Sequence, residues 1–252
     1  MDELPKFLYK YRNFEDPYMI NIIKNSSLYF SQVKNFNDPF DLRLDFKQSY
    51  TKQERLSHIK YLSKENGSDP NHYKKLKKKA RDPKEFNKIK EESFYKVFNN
   101  ISILSLSSDP KNILMWSHYA HNHTGLVFEF TEKFNSSRFL QIQKVKYKND
   151  YSLLDLTKNT NFIKKEIGEL LLTKYSDWQY EQEYRILNIN DDPGEKSFNK
   201  LELTSIIFGL ETANENIEMI KKLCAENGFG HVKFKRTEKV YGKFELKIVD
   251  LK

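Results

Sequence analysis

The chain has 252 residues and a net charge of +8, with 14% aromatic residues, one Cys, 8 Gly and 7 Pro. The aromatic content argues against disorder, and so little Gly and Pro leaves few linkers, so we predict a single domain over residues 1–252. No stretch approaches the roughly 20 apolar residues of a membrane span, and the acidic N-terminus lacks an apolar signal core. Because Cys224 cannot form an internal disulfide, we expect a cytoplasmic protein without a membrane partner.

The predicted elements begin with strands at residues 8–11 and 28–31, separated by a short helix that we expect Asp16 to cap. Residues 50–100 have a helical pattern and form a predicted basic helical insertion, in which Asp82 and Pro83 start the last helix. The remaining predicted strands are 101–106, 126–130, 139–147, 178–187, 201–208, 231–236 and 240–249, and the remaining helices are 112–120, 161–173 and 213–226. Strands dominate both ends of the chain while helices cluster between them, which predicts the α+β class.

The positive charge is concentrated within the predicted insertion. Residues 74–90 contain nine Lys or Arg and two acids, a net charge of +7 out of +8 for the chain. Such a block can bind phosphates, which makes nucleic acid a candidate partner, although a solvated helix face is the simpler interpretation. The candidate nucleic-acid-binding residues are Lys74, Lys75, Lys77, Lys78, Lys79 and Arg81.

A late acidic segment at residues 178–185 is the most informative part of the sequence. If it is a strand, Glu181, Glu183 and Arg185 project from one face. Two carboxylates on one face raise each other's pKa, while a neighbouring Arg opposes that effect, so one carboxylate can stay ionised against a developing positive charge. The alternative is a solvent-facing ladder of charges on an edge strand.

Two further segments carry candidate binding residues. Lys10 and Arg12 share a face of the first strand, and their positive charges suit a pyrophosphate. The loop at 37–41 contains Asp38 and Asp41, for which we favour a structural role in a tight turn.

The segment at 115–123 contains three His but no Cys or carboxylate at ligand spacing, so we predict no metal site there. Phosphate-loop, dinucleotide, HExxH and GxSxG motifs are absent from the sequence.

The order of these segments resembles a widespread bacterial family of unknown function. The resemblance rests on residues 8–12, 28–31, 36–41, 115–120, 124–126, 178–185 and 206–210. It covers nearly the whole chain, with residues 50–100 the least distinctive part. It implies family membership but no activity.

The same order also resembles the three-part site of ADP-ribosyltransferases, with a basic or aromatic anchor on the first strand, Ser31 ending the second and Glu181-x-Glu183 late in the chain. The resemblance implies a split, strongly bent mixed sheet that binds NAD in its cleft. Glu183 would be the catalytic carboxylate and Glu181 its companion. The cofactor-binding residues that it implies are Lys10, Tyr11, Arg12, Tyr29, Ser31, Asn37, His118 and Tyr119. Which of Lys10, Tyr11 and Arg12 anchors NAD stays open.

These features predict an NAD-dependent ADP-ribosyltransferase, a toxin or antiphage effector acting on RNA or DNA, with a possible antitoxin or immunity partner. On this hypothesis, Glu183→Gln abolishes labelling by NAD and leaves the thermal melt almost unchanged. Three alternatives stay open. The chain could be a nucleic-acid-binding module without catalysis, a metal-dependent nuclease using Glu181, Glu183 and His118, or itself an immunity or antitoxin partner.

Overall fold

The structure, a computed structural model, describes residues 4–42, 45–65, 67, 69–131, 142–150, 153–155, 157–158, 160–188 and 193–251. It has the predicted α+β architecture. The strands are β1 Phe7–Arg12, β2 Ser27–Gln32, β3 Ser102–Ser107, β4 Leu126–Thr131, β5 Ile142–Lys144, β6 Lys146–Lys148, β7 Thr173–Tyr175, β8 Glu183–Asn188, β9 Gly194–Ser197, β10 Leu203–Phe208, β11 Lys233–Lys239 and β12 Leu246–Asp250. The α-helices are α1 Met19–Lys24, α2 Lys52–Glu65, α3 Pro70–Lys79, α4 Pro83–Phe98, α5 Ile113–Tyr119, α6 Thr160–Leu171 and α7 Asn214–Glu226.

One large mixed sheet runs in the order β12-β11-β10-β4-β1-β3-β2-β9, and β8 pairs with β3 and with β5. The antiparallel ladders β1–β4 and β3–β8 each join six residue pairs. By contrast, β1 and β3 are joined at the single pair Tyr9 and Ser107. The sheet is therefore continuous on both sides of this junction and opens along it.

Apolar side chains cover both faces of the sheet. The largest cluster places Phe30, Phe128 and Phe208 together with residues of α1 and α7, among which Cys224 is buried. Burial raises the pKa of the Cys224 thiol to about 12, as expected for a packed apolar group. On another face, Trp116 of α5 packs against Tyr11 and other side chains of the third apolar cluster. These clusters hold β1 and α5 rigidly next to the opening in the sheet.

Residues 52–98 form three helices between β2 and β3, where the sequence predicted two. They enclose a small core of their own, made of Tyr50, Ile59, Ala80 and Phe86. The predicted start of α4 is confirmed, because the Asp82 carboxylate accepts hydrogen bonds from the backbone N–H groups of the next helical turn.

Several predicted boundaries differ from the structure; the strand predicted at 240–249, for example, is β12 at Leu246–Asp250. Two of the differences have a clear local cause. The helix after Asp16 begins at Met19, because the Asp16 carboxylate accepts a hydrogen bond from the Tyr18 N–H and so closes a turn before the helix. The strand predicted at residues 178–187 begins late, because residues 176–181 form a 3-10 helix and Gln182 has a left-handed φ of 45° before β8 begins. In the predicted strand at 139–147, residues 139–141 lie outside the described part.

None of the helices in the described ranges combines the length and apolarity that a membrane crossing requires.

Candidate active site

A cleft of about 400 Å³ lies at the junction of β1 and β3. Residues 9–12 of β1 form one wall and residues 103–107 of β3 contribute another, so the cleft opens where the two strands stop pairing. Ser31 reaches it from β2, and α5 and the start of β8 complete the lining. A volume of this size is typical of small-molecule sites.

The structure brings nine of the ten predicted catalytic and cofactor-binding residues to this cleft. They are Lys10, Tyr11, Arg12, Ser31, Asn37, His118, Tyr119, Glu181 and Glu183. Tyr29 is the exception, since it does not line the cleft and its ring stacks on that of Tyr18 at a centroid distance of 4.0 Å. Tyr29 is therefore not positioned to stack on a ligand in the cleft.

Glu183 is held by a bidentate ion pair at the start of β8. Its two carboxylate oxygens accept hydrogen bonds from Arg185 Nε at 2.8 Å and from Arg185 Nη2 at 2.9 Å. Burial by itself raises the pKa of the Glu183 carboxyl, but Arg185 and Lys174 outweigh it and hold the pKa at about 2. Glu183 is thus an ionised carboxylate in a fixed orientation, although only 4% of its surface is exposed.

Glu181 is the second carboxylate of the cleft and has a different environment. It accepts a hydrogen bond from Tyr119 Oη and another from Lys174 Nζ, each at 2.5 Å. Burial raises the pKa of the Glu181 carboxyl and Glu183 adds to this effect, while Lys174 opposes it. The pKa values of the two carboxyl groups are therefore shifted in opposite directions, because Glu183 is paired with the Arg185 guanidinium and Glu181 is not.

Two residues that the sequence did not connect to the site complete its charge network. Lys174 Nζ lies 3.5 Å from both Asp41 Oδ2 and Glu183 Oε2, in addition to its bond with Glu181. Asp41 Oδ2 also accepts a hydrogen bond from Arg185 Nη2 at 2.6 Å. Because Asp41 is an ion-pair partner, the structural turn role predicted for it is incomplete. Asp38 has that role, since its Oδ1 accepts from the Phe40 N–H at 2.8 Å.

This network rules out the charged edge ladder considered for residues 178–185. All six residues of β8 are buried, and β8 pairs with both β3 and β5. Glu183 and Arg185 do share a face of β8, as predicted. Glu181 meets the same cluster for another reason, because the turn at Gln182 directs the end of the 3-10 helix toward Lys174.

Lys10 stands apart from the other cations of the site. Its Nζ donates a hydrogen bond to the Ser105 carbonyl at 2.7 Å, and within the described ranges no carboxylate lies within 4.0 Å of it. Arg12, on the same strand face, is paired with Asp16 at 3.1 Å. Burial, and next the charge of Arg12, lower the pKa of the Lys10 ammonium well below its ordinary value. Lys10 therefore presents a donor to the cleft that lacks a counter-ion.

His118 and Tyr180 form a contact at the cleft rim, with His118 Nδ1 3.0 Å from the Tyr180 hydroxyl. The other two His of the segment do not join it, because His123 stacks on Trp116 and His121 lies in the turn after α5. In the described part of the chain, no group of three or more His, Cys, Asp or Glu is arranged to hold a metal ion.

The pKa of Glu183 predicts a specific acid sensitivity. A carboxyl whose pKa is lowered by folding stabilises the native state above its unfolded pKa, and this stabilisation is lost as the pH falls through the folded pKa. For Glu183 the window is about pH 4.5 to 2, and the contribution is about 3 kcal/mol. We expect the unfolding free energy from urea titrations to fall more steeply across this window in the wild type than in Glu183→Gln. Equal slopes would show that the ion pair does not control the pKa of Glu183.

Residues 115–186 match a family described as a protein of unknown function, DUF2971. The matched segment runs from α5 into β8 and so includes Tyr119, Lys174, Glu181 and Glu183. The match supports the predicted similarity to a family of unknown function, and its description names no activity. Comparisons with curated proteins and with solved structures give no match.

Proposed function

We propose that this chain transfers ADP-ribose from NAD to a macromolecular acceptor, as a toxin or antiphage effector. One observation carries the proposal. A single cleft is lined by the cation Lys10 from β1, by Ser31 from β2 and by the carboxylates Glu181 and Glu183 at the start of β8. Basic and acidic groups that line one cleft suit a dinucleotide that is anionic at its pyrophosphate and becomes cationic at the reacting ribose.

Lys10 is the preferred anchor for the pyrophosphate. Tyr11 already donates its hydroxyl to the Asp109 carbonyl at 2.7 Å, and Arg12 is paired with Asp16. Lys10 alone of these three offers charge without a partner carboxylate in the described structure. An anionic ligand would supply the missing counter-charge, which favours the protonated form of the amine.

In the proposed reaction, the bond between ribose C1′ and the nicotinamide nitrogen breaks, and neutral nicotinamide leaves with the electron pair. The ribose then carries positive charge, which the ionised Glu183 stabilises. An acceptor atom forms the new bond to C1′ and releases its proton to solvent. Glu183 lines the cleft, and each of its oxygens has two lone pairs, so a carboxylate held in place by Arg185 can also orient a ribose hydroxyl. No general acid is required, because the leaving group carries its positive charge from the start.

The donor proposal is tested by incubating the protein with adenine-labelled NAD and total cell extract, and by measuring nicotinamide release and label transfer. Nicotinamide release with labelling of a macromolecule supports the proposal. Failure to bind or consume NAD in the presence of RNA, DNA or extract contradicts it. Nucleic-acid cleavage that requires a divalent ion and stops with a chelator would instead support the nuclease hypothesis.

Lys10→Gln is expected to weaken NAD binding by about 10- to 100-fold, because the substitution removes a charge-assisted hydrogen bond to the pyrophosphate. Binding to the wild type should also take up protons at pH values where the buried amine is partly neutral. Calorimetry in buffers of different ionisation enthalpy measures both effects. Lys6→Gln is the control, since Lys6 is exposed and does not line the cleft. Equal proton uptake by wild type and Lys10→Gln would exclude Lys10 as the anchor.

A further inference from the structure

A second concave surface lies between α2 and α3, away from the cleft, and has a volume of about 460 Å³. The polar and aromatic residues that line this groove are Lys52, Gln53, Ser57 and Lys60 from α2, and Tyr73 and Lys77 from α3. Among the lining residues that the structure describes, none is a carboxylate. The groove therefore combines three ammonium groups with an aromatic ring and two neutral hydrogen-bonding side chains.

The sequence of α2 explains why its lysines face the groove. Lys52 and Lys60 are eight positions apart, so they lie on one side of the helix about 12 Å from each other along its axis, with the groove-lining Leu56 between them. The side of α2 next to this face is buried, where the Arg55 guanidinium donates hydrogen bonds to three backbone carbonyls and Ile59 packs in the small core. Burial of one face thus leaves the lysine face beside α3.

The basic run of α3 does not form one surface. At about 100° per residue, Lys74 and Lys78 project from one side of the helix and Lys75 and Lys79 from another, all four exposed. Lys79 is also close to Glu85, at 3.9 Å. Of the six predicted nucleic-acid-binding residues, Lys77 lines the groove. The groove therefore combines Lys77 of the basic run with two lysines of α2, Lys52 and Lys60, that lie outside the run.

The groove lysines lack carboxylate partners. Within the part of the chain that the structure describes, Lys52, Lys60 and Lys77 make no ion pair, and the Lys77 ammonium lies 5.7 Å from the centre of the Tyr73 ring. Elsewhere on the surface, lysines such as Lys47 are paired with acids. Three separated and unpaired ammonium groups suit a ligand that carries several regularly spaced negative charges.

We infer that this groove binds single-stranded nucleic acid, with phosphates on the three lysines, a base against Tyr73 and polar contacts from Gln53 and Ser57. A basic track with an aromatic platform is the combination that binds single strands. A duplex buries its bases in the stack and has no free base face for Tyr73. That this strand is also the ADP-ribose acceptor rests on the proposed function.

The test compares two triple variants of the full chain. Lys52→Gln/Lys60→Gln/Lys77→Gln removes the groove charges, and the control Lys74→Gln/Lys75→Gln/Lys78→Gln removes the same charge from outside the groove. Binding of a labelled single strand of about 12 nucleotides is followed by anisotropy between about 50 and 200 mM salt. We expect the groove variant to lose about 10-fold or more in affinity and its slope of log K against log salt to become shallower by about 2, while the control changes little.

Tyr73→Leu is expected to lose about 5- to 100-fold in affinity for the strand, and Tyr73→Phe is expected to keep it, because the phenyl ring still stacks. Equal weakening by the two triple variants would overturn the proposal in favour of diffuse charge attraction. Equally tight binding of a duplex, or equal competition by polyglutamate, would also overturn it and identify another class of partner. Binding of the strand is measured in the absence of NAD, and it tests the groove. Release of nicotinamide is measured in the absence of the strand, and it tests the proposed use of NAD. Failure of one proposal can therefore be distinguished from failure of the other.

Discussion

Replacing Glu183 with Gln is expected to reduce nicotinamide release from NAD by about 100-fold or more and also to lower the melting temperature. The loss of activity follows because a neutral amide cannot stabilise the positive ribose as a preorganised carboxylate does. The loss of stability follows because Arg185 and Lys174 each lose an anionic neighbour in a buried site. The sequence alone predicted an almost unchanged melt; because the ion pair is buried, we expect a lower melting temperature instead.

Because both readouts change, this prediction needs a control with a similar buried carboxylate. Glu129 on β4 is 5% exposed, close to the 4% of Glu183. It pairs with Lys235 at 3.2 Å and does not line the cleft. Glu129→Gln should lower the melting temperature and leave nicotinamide release, measured well below that temperature, close to wild type. If Glu129→Gln and Glu183→Gln lose activity in equal measure, the effect of Glu183 is structural and the catalytic assignment fails.

Arg185→Met is expected to cause the largest stability loss of any substitution considered, about 3–5 kcal/mol. The guanidinium is fully buried and bonds Glu183, Asp41 and the Leu171 carbonyl. Its removal leaves Glu183 and Asp41 to share Lys174, the remaining cation in the cluster, with Glu181. The unfolding free energy from urea titration measures the effect, provided that the slope with denaturant is unchanged.

Two comparisons separate the ion pair from simple packing. Lys235→Met removes a partly exposed cation and leaves Glu129 with its hydrogen bond from the Thr204 hydroxyl, so we expect it to cost less than Arg185→Met. The double variant Arg185→Met/Glu183→Gln should cost less than the sum of its two single variants, because Glu183→Gln removes one of the two carboxylates that Arg185→Met leaves without their guanidinium partner. A cost of under 1 kcal/mol for Arg185→Met, or strict additivity in the double variant, would show that the network does not stabilise the fold.

Local patterns in the sequence determined much of the architecture. The strand at β1 and the cap of α4 by Asp82 follow from alternation and capping chemistry, which act over a few residues. The α+β class follows from the order of such elements. The cleft cation Lys10 and the acids Glu181 and Glu183 were identified in the same way, from charged residues placed on otherwise apolar or aromatic strands.

Only the tertiary structure decided which of these residues meet and what charge state they hold. Asp41 and Arg185 are 144 positions apart, and the contribution of Lys174 depends on the turn at Gln182. No local pattern encodes such contacts, since they arise when the β3–β8 ladder and the loop after β2 pack together. The same reason separates the basic run of α3 from the groove, because helix packing selects Lys77 and adds Lys52 and Lys60. Sequence therefore determined the chemical groups, and packing determined their partners, burial and pKa values.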